Sequence, residues 1–191
     1  MDISGTKIAL LVHNYFEQSE FEEPLNAFRS AGADVTVISA TNSTKLQSLI
    51  HADKGDRFEA DLLLKNANPD DYDALVIPGG VVNADALRAD ETAQEWVDTF
   101  LDDDRPIAAI CHAPWLLVSA DLVDGRRLTS YHTIQDDIRN AGGEWVDLPL
   151  VIDDNLITSR KPDDLMLFND AVINMLEEQL AAKTTHHSRR L

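Results

Sequence analysis

Three observations predict an α/β fold built around a mostly parallel sheet. The first is a set of short apolar runs: Ile8-Ala9-Leu10-Leu11-Val12, Val35-Thr36-Val37-Ile38, Ala74-Leu75-Val76-Ile77 and Ile107-Ala108-Ala109-Ile110. Strands covered on both faces read as near-continuous apolar runs, the habit of parallel sheets. The second is that stretches of helical period alternate with these runs, as in strand–helix–strand crossovers. The third is that several runs end on chemically distinctive residues: the loop after Val12, Gly79-Gly80 and Cys111-His112. In open α/β sheets, ligands bind beyond the carboxyl ends of the strands.

In chain order, Ile8–Val12 is the first strand, and Ser19 to Ala31 is a helix with Phe21, Leu25 and Phe28 inward and Gly32 as its stop. Val35–Ile38 follows as a strand. Leu46–Ile50 and Phe58–Leu64 suit a small antiparallel excursion turning at Lys54-Gly55-Asp56. Pro69 to Tyr72 is a turn, Ala74–Ile77 a buried strand, and Asp85 to Ala89 a short helical turn. Thr92 to Leu101 is a helix presenting Trp96, Val97 and Phe100. Ile107–Ile110 is a strand and Ala113 to Ala120 a helix, with Pro114 in the first turn, where a missing N–H costs nothing. Gly125 to Ser130 returns to the sheet, and Thr133 to Ala141 is helical. Glu144–Val146, Leu150–Ile152 and Leu156–Thr158 are short strands, the last two joined at Asp153-Asp154-Asn155. A final helix runs from Pro162 to about Leu180. One domain over residues 1–180 and a frayed polar tail over 181–191 are expected.

Composition bounds the function. The 191 residues suit one domain, and 44% are hydrophobic, enough for a sizeable core. The net charge is −18, from 34 acids against 16 bases. Direct nucleic-acid binding needs a basic footprint and is excluded on that ground. No apolar stretch approaches the ~18 residues of a membrane span. The amino terminus lacks the basic and apolar regions of a signal peptide. A single cysteine forms no internal disulfide, so a cytoplasmic setting is expected.

Cys111 falls at a strand-to-helix turn. Such a turn lifts a side chain clear of the sheet, and a helix N-terminus favours a thiolate. A lone cysteine after an apolar strand is equally a small buried hydrophobe. Glu17, Glu20, Glu22 and Glu23 cluster after the first strand. Glu20, one turn before Pro24, either points back over the strand ends, where a buried carboxyl would share a proton with Cys111, or belongs with the other acids to an exposed first turn. Glu22 and Glu23 suit an exposed first turn, where acids complement the helix dipole. Gly79-Gly80 offers unhindered N–H groups for an oxyanion, or is simply a turn. Trp115 and Tyr131-His132 either line a pocket or pack in the core. No G-x-G-x-x-G, P-loop or G-x-S-x-G element is present, and no spacing suggests zinc. No cofactor and no metal are expected.

These stretches together resemble the DJ-1/PfpI superfamily, in its PfpI-like branch of intracellular cysteine peptidases and stress proteins. The resemblance covers Lys7 to Leu180. It rests on Phe16-Glu17-Gln18-Ser19-Glu20-Phe21-Glu22-Glu23-Pro24, Asp73-Ala74-Leu75-Val76-Ile77-Pro78-Gly79-Gly80 and Ala109-Ile110-Cys111-His112-Ala113-Pro114. It continues through Gly125–Ser130, Asn140-Ala141-Gly142 and Thr158–Leu165. The resemblance implies a flavodoxin-like three-layer sandwich, similar to class I glutamine amidotransferase domains, with Cys111 on a nucleophile elbow. It implies that Glu20 hydrogen-bonds the thiol and that the Gly80 and His112 N–H groups hold the oxyanion. It also implies that His112 pairs with an acid from a neighbouring subunit of a dimer or higher oligomer. The matching stretch, Asn83 to Arg88, carries Asp85 where the archaeal peptidases have glutamate, after one extra residue; aspartate is a methylene shorter.

Peptidase, glutathione-independent glyoxalase and deglycase activities are all implied by the family, and each needs a thiolate attacking an electrophilic carbon. A small site suits an α-oxoaldehyde such as methylglyoxal or glyoxal, or its protein or nucleotide adducts, better than an extended peptide. The expectation is a cysteine hydrolase of that kind. Catalysis would rest on Cys111, His112, Glu20 and Asp85, and substrate would meet Gly79, Gly80, Glu17 and Trp115. A redox-sensing stress protein or holdase, in which Cys111 oxidises to a sulfinate without turnover, is the reading of another class.

Overall fold

A computed structural model describes residues 2–188. Its centre is a seven-stranded sheet, built from β1 (Lys7–Val12), β2 (Asp34–Ser39), β5 (Leu62–Leu63), β6 (Ala74–Ile77), β7 (Ile107–Ile110), β10 (Leu150–Asp153) and β11 (Leu156–Ser159). The spatial order is β10-β11-β7-β6-β1-β2-β5. Every pairing is parallel except β10 with β11. The chain moves outward from β1 to β2 and β5, then crosses to β6, β7 and β11 on the other side. The reversal at β1 and β6 opens a crevice at their carboxyl ends.

Side-chain alternation explains why both faces are covered. Ile8, Leu10 and Val12 enter one core with Phe21 and Phe28 of α1 (Gln18–Ser30) and Phe168, Val172 and Leu176 of α6 (Leu165–Ser188). Ala9 and Leu11 point the other way, into a core with Trp96, Val97 and Phe100 of α3 (Glu91–Asp102) and Leu116 and Leu117 of α4 (Pro114–Ser119). β6 and β7 divide in the same manner, Val76 and Ala108 joining the first core and Leu75 and Ala109 the second. The three-layer α/β sandwich expected from the sequence is the observed architecture. The remaining helices are α2 (Val81–Arg88) and α5 (Gln135–Asn140).

The structure corrects three local expectations. The hairpin of β3 (Lys45–Ile50) and β4 (Asp53–Glu59) turns at His51-Ala52, with Ile50 paired to Asp53 and His51 at φ 57°. Gly55 is not in that turn. A Cβ there would stand 2.2 Å from Gln18 Oε1 and 2.4 Å from Ser48 Oγ, so the glycine admits the Gln18 side chain. Gly125 to Ser130 does not return to the central sheet. Arg127–Leu128 forms β8, paired only with β9 (Glu144–Trp145). The final helix continues to Ser188, past the Leu180 boundary expected from sequence. Residues 189–191 of the expected tail lie outside the described residues.

Phe28 is fully buried at the α1–α6 side of the sheet. Phe28→Ala is expected to lower stability by about 3–5 kcal/mol in a denaturant titration. Met166→Ala, at a position 73% exposed, is expected to stay within about 0.5 kcal/mol.

Candidate active site

Three sheet connections meet at the crevice. The first is the loop from β1 to α1. Its backbone runs beside β3 as a further strand would: Tyr15 N–H donates to Gln47 O at 2.7 Å, and Leu49 N–H donates to Phe16 O at 2.8 Å. Phe16 packs on Phe21 (centroids 4.6 Å) and Phe21 on Phe58 (4.9 Å), which ties this loop, α1 and the hairpin together. Glu20 follows in the first turns of α1 and is completely buried. Pro24 has no N–H, so the Glu20 carbonyl lacks the helical donor four residues on.

The second connection is Gly79-Gly80. The Gly79 N–H donates to Glu20 Oε2 at 2.9 Å. A Cβ on Gly79 would lie 2.5 Å from both Cys111 Cβ and Glu20 Oε2. The glycine therefore lets the thiol and the carboxyl close on one another. Gly80 adopts φ 90°, open to glycine at little cost, and starts α2. Asn83, fully buried, locks this turn: its Nδ2 donates to the Pro78 and Gly79 carbonyls, and its Oδ1 accepts from His13 N–H at 2.7 Å.

The third is the turn at Cys111. The residue sits at φ 64°, left-handed backbone that costs a non-glycine residue of order 1–3 kcal/mol. Main-chain bonds hold it there. Cys111 N–H donates to Ser159 O at 3.0 Å, and Cys111 O accepts from Tyr131 N–H at 2.8 Å. The result is a nucleophile elbow as expected, with Pro114 in the first turn of α4. The sulfur is buried, and backbone N–H groups of Gly80 and His112 are directed at it.

Electrostatics follow from this burial. Glu20 is pushed up to about 8, chiefly by desolvation; hydrogen bonds from Cys111 and Gly79 oppose the rise. Its Oε1 has no nitrogen or oxygen partner. The Cys111 thiol is also pushed up, first by burial and then by the Glu20 charge. The second contribution disappears once Glu20 is protonated. At neutral pH Glu20 keeps its proton, well above the ordinary carboxyl range. A protonated Glu20 then donates to sulfur, where a carboxylate repels the thiolate. His112 Nδ1 lies 3.2 Å from Cys111 Sγ, and its Nε2 lies 3.1 Å from Thr133 Oγ1. Burial, followed by the nearby His132, depresses His112 to about 4, so its imidazole is neutral.

These groups open into a cleft of about 360 Å³ lined by Glu17, Glu20, His51, Gly80, Val81, Cys111, His112, Tyr131, Thr133 and Pro162. A wider groove of about 630 Å³ runs along β3 and β4, lined by Tyr15, Lys45, Arg57 and Phe58 among others, but it holds no cysteine or histidine. Chemistry decides between them in favour of the smaller cleft. Among the described residues, no group of three or more His, Cys, Asp or Glu side chains is placed to hold a metal ion.

Cys111, His112, Glu20, Glu17 and Gly80 are thus brought together. Glu17 Oε2 accepts from His51 N–H at 3.0 Å. Two expectations change. The Gly79 N–H is occupied by Glu20, leaving Gly80 and His112 as the donors at sulfur. Trp115 does not line the cleft. Its indole donates to Asp137 at 2.8 Å, lies under Arg88 at 5.1 Å, and meets His112 edge-on from behind. Asp85 is exposed on α2, and within the chain His112 bonds Thr133 instead. Sequence reasoning missed Asn83, Thr133 and His51 as site residues. A polar residue following a glycine pair was the signal available for Asn83; Thr133 and His51 offered none.

An α/β sandwich with an elbow cysteine facing a buried glutamate is the class of protein this geometry defines. A model of the DJ-1/PfpI family matches residues 6–175. The chain belongs to that family. It is 40% identical over 179 residues to General stress protein 18 of Bacillus subtilis, covering 91% of this chain and 99% of the relative. It is 39% identical over 175 residues to Protein/nucleic acid deglycase 2 of Escherichia coli, covering 89% and 97%. Among solved structures, Drosophila melanogaster DJ-1beta superposes with a TM-score of 0.83 at 26% identity, covering 92% of this chain and 91% of that one. A two-domain protein from Anabaena variabilis with DJ-1/ThiJ/PfpI-like and ferritin-like domains gives 0.83 at 33%, covering 90% of this chain and 48% of that longer chain. No helix among the described residues is long and apolar enough to cross a membrane.

The Glu20 shift makes a thermodynamic prediction. As pH rises above 4.5 the unfolded chain loses this proton while the folded chain keeps it to about 8. Folding is therefore penalised progressively over that window and uniformly above it. Glu20→Gln removes the penalty. Relative to wild type, the variant is expected to gain about 4 kcal/mol between pH 4 and pH 9, read from denaturant midpoints. A constant difference across that range contradicts the buried-acid assignment.

Proposed function

We propose that this protein is a cysteine-dependent hydrolase of α-oxoaldehydes, or of the adducts these form with proteins and nucleotides. The observation that carries the reading is the apposition of the Cys111 sulfur and the buried Glu20 carboxyl across Gly79. The cleft beyond them is small and half enclosed by Tyr131, Val81 and Pro162, which suits a compact dicarbonyl better than an extended peptide. The name of the E. coli relative, a protein/nucleic acid deglycase, supports the same chemistry.

The steps balance without a cofactor. The Cys111 thiolate adds to the aldehyde carbon of methylglyoxal, and protonated Glu20 gives its proton to the aldehyde oxygen. This forms a hemithioacetal. Glu20, now a carboxylate, takes the proton from that carbon and returns it to the neighbouring carbonyl carbon, while the hemithioacetal O–H proton passes to the former ketone oxygen. The aldehyde carbon is oxidised to a thioester as the ketone is reduced to an alcohol. Water hydrolyses the thioester, releasing lactate and the thiol. The Gly80 and His112 N–H groups are assigned to the oxyanion of the addition and hydrolysis steps.

An oligomer is part of the proposal. Val81 and Val82, 52% and 47% exposed beside Asp85 on α2, support a second copy seated at the mouth of the cleft. In a peptidase, Asp85 from that copy would have to displace Thr133 from His112.

The test is lactate formation from methylglyoxal by wild type, Cys111→Ala and Glu20→Gln. Wild type is expected to form lactate, and each variant to lose at least about 100-fold in kcat/KM. An inactive wild type, or an active Cys111→Ala, refutes the reading. Mass spectrometry of wild type after mild peroxide then asks whether Cys111 gains two oxygens as a redox sensor would.

A further inference from the structure

We propose that Thr133 is the positioning residue for His112: its hydroxyl, rather than a carboxylate, decides whether the imidazole nitrogen facing the Cys111 sulfur carries the ring proton. The inference rests on Cys111 being the nucleophile of the proposed function, and it concerns how that thiolate is formed.

The imidazole is fully determined within one chain. Nδ1 lies 3.2 Å from Cys111 Sγ and Nε2 3.1 Å from Thr133 Oγ1. The ring is stacked on Tyr131 with centroids 4.8 Å apart at 27°, and Trp115 meets it edge-on at 5.6 Å. Trp115 is itself fixed by its bond to Asp137. Thr133 belongs to the single helical turn His132–Ile134 that leads into α5, and it reaches the cleft from there.

A hydroxyl and a carboxylate instruct an imidazole differently. A carboxylate holds N–H at Nε2 and stabilises the imidazolium. A hydroxyl both donates and accepts. When Thr133 O–H donates to Nε2, the ring proton stays on Nδ1 and points at the sulfur. Ionisation then needs no charged histidine. In the reactive form the pair has given one proton to solvent and Glu20 holds the other, and the thiolate accepts from a neutral Nδ1–H together with the Gly80 and His112 backbone N–H groups. The site gains one buried anion and creates no buried cation.

The surroundings agree with a neutral ring. Cys111 and Glu20 adjoin it from the elbow and α1, Glu17 and His51 face it across the cleft, and Tyr131 and His132 adjoin it from the turn before α5. The carboxylate behind it, Asp137, is taken by the Trp115 indole. Burial and His132 both oppose a charge on His112.

The test is the pH profile of Cys111 alkylation by iodoacetamide, which needs no assumption about substrate, together with nitrogen chemical shifts of His112. Wild type is expected to show a neutral, Nδ1-protonated His112 across about pH 5–8. Thr133→Ser keeps the alkylation rate within roughly twofold, while Thr133→Val slows it roughly tenfold, the worth of one hydrogen bond. Thr133→Asp raises the His112 titration toward neutrality. An Nε2-protonated or charged His112 in wild type at neutral pH overturns the proposal, and so does alkylation of Thr133→Val at the wild-type rate. A loss in Asp85→Asn without one in Thr133→Val overturns it in favour of the intersubunit acid. If Thr133→Val does not fold, the wild-type shifts and Thr133→Asp still decide. Slowed alkylation in Thr133→Val alongside a wild type that makes no lactate leaves Thr133 in place and removes only the oxoaldehyde reading.

Discussion

A carboxyl and a thiol forced together out of water are the constraint on which this structure depends. Glu20 is completely buried, and its Oε2 is held by one backbone N–H. An unpaired carboxylate in that position is costly, so the group keeps its proton into the neutral range. Everything nearby serves the approach of sulfur to that proton. Gly79 withholds a Cβ that would stand 2.5 Å from each partner. The strained Cys111 backbone aims the thiol at the carboxyl, and two main-chain hydrogen bonds keep it there. Asn83 fixes the turn between them to the end of β1.

The fold supplies this constraint by bringing three carboxyl strand ends side by side. β1, β6 and β7 are adjacent in the sheet, and their downstream connections carry Glu20, Gly79 and Cys111. The same side-chain alternation that fills two cores makes these strands immobile platforms. The Phe16, Phe21 and Phe58 cluster extends this rigidity to the hairpin, whose turn brings His51 and its bond to Glu17 over the cleft. The net charge of −18 lies mostly on the surface; among the described residues Glu20 and Asp164 are the buried acids.

The central strands and the elbow were legible in the sequence because continuous apolar runs and a Cys-His-Ala-Pro turn are local signals. Elements whose form is set by distant partners were not. Gly55 looks like a turn until Gln18 is seen passing over it. Residues Arg127–Leu128 look like a sheet strand, yet pair only with Glu144–Trp145. Trp115 follows the nucleophile closely in sequence, but the helical geometry of α4 carries its indole behind His112 toward Asp137. Thr133 lies 21 residues from His112, and no pattern in the chain announces their contact. The family resemblance pointed to Cys111, Glu20 and Gly80, whereas the partner of His112 within the chain had to come from geometry.

The central claim is that Glu20 holds its proton beside a reactive sulfur at neutral pH. Difference infrared spectroscopy of wild type against Glu20→Gln reads that carboxyl directly as pH is varied. The account predicts a protonated carboxyl band persisting to about pH 8. A carboxyl that titrates near its ordinary 4.5 would contradict it.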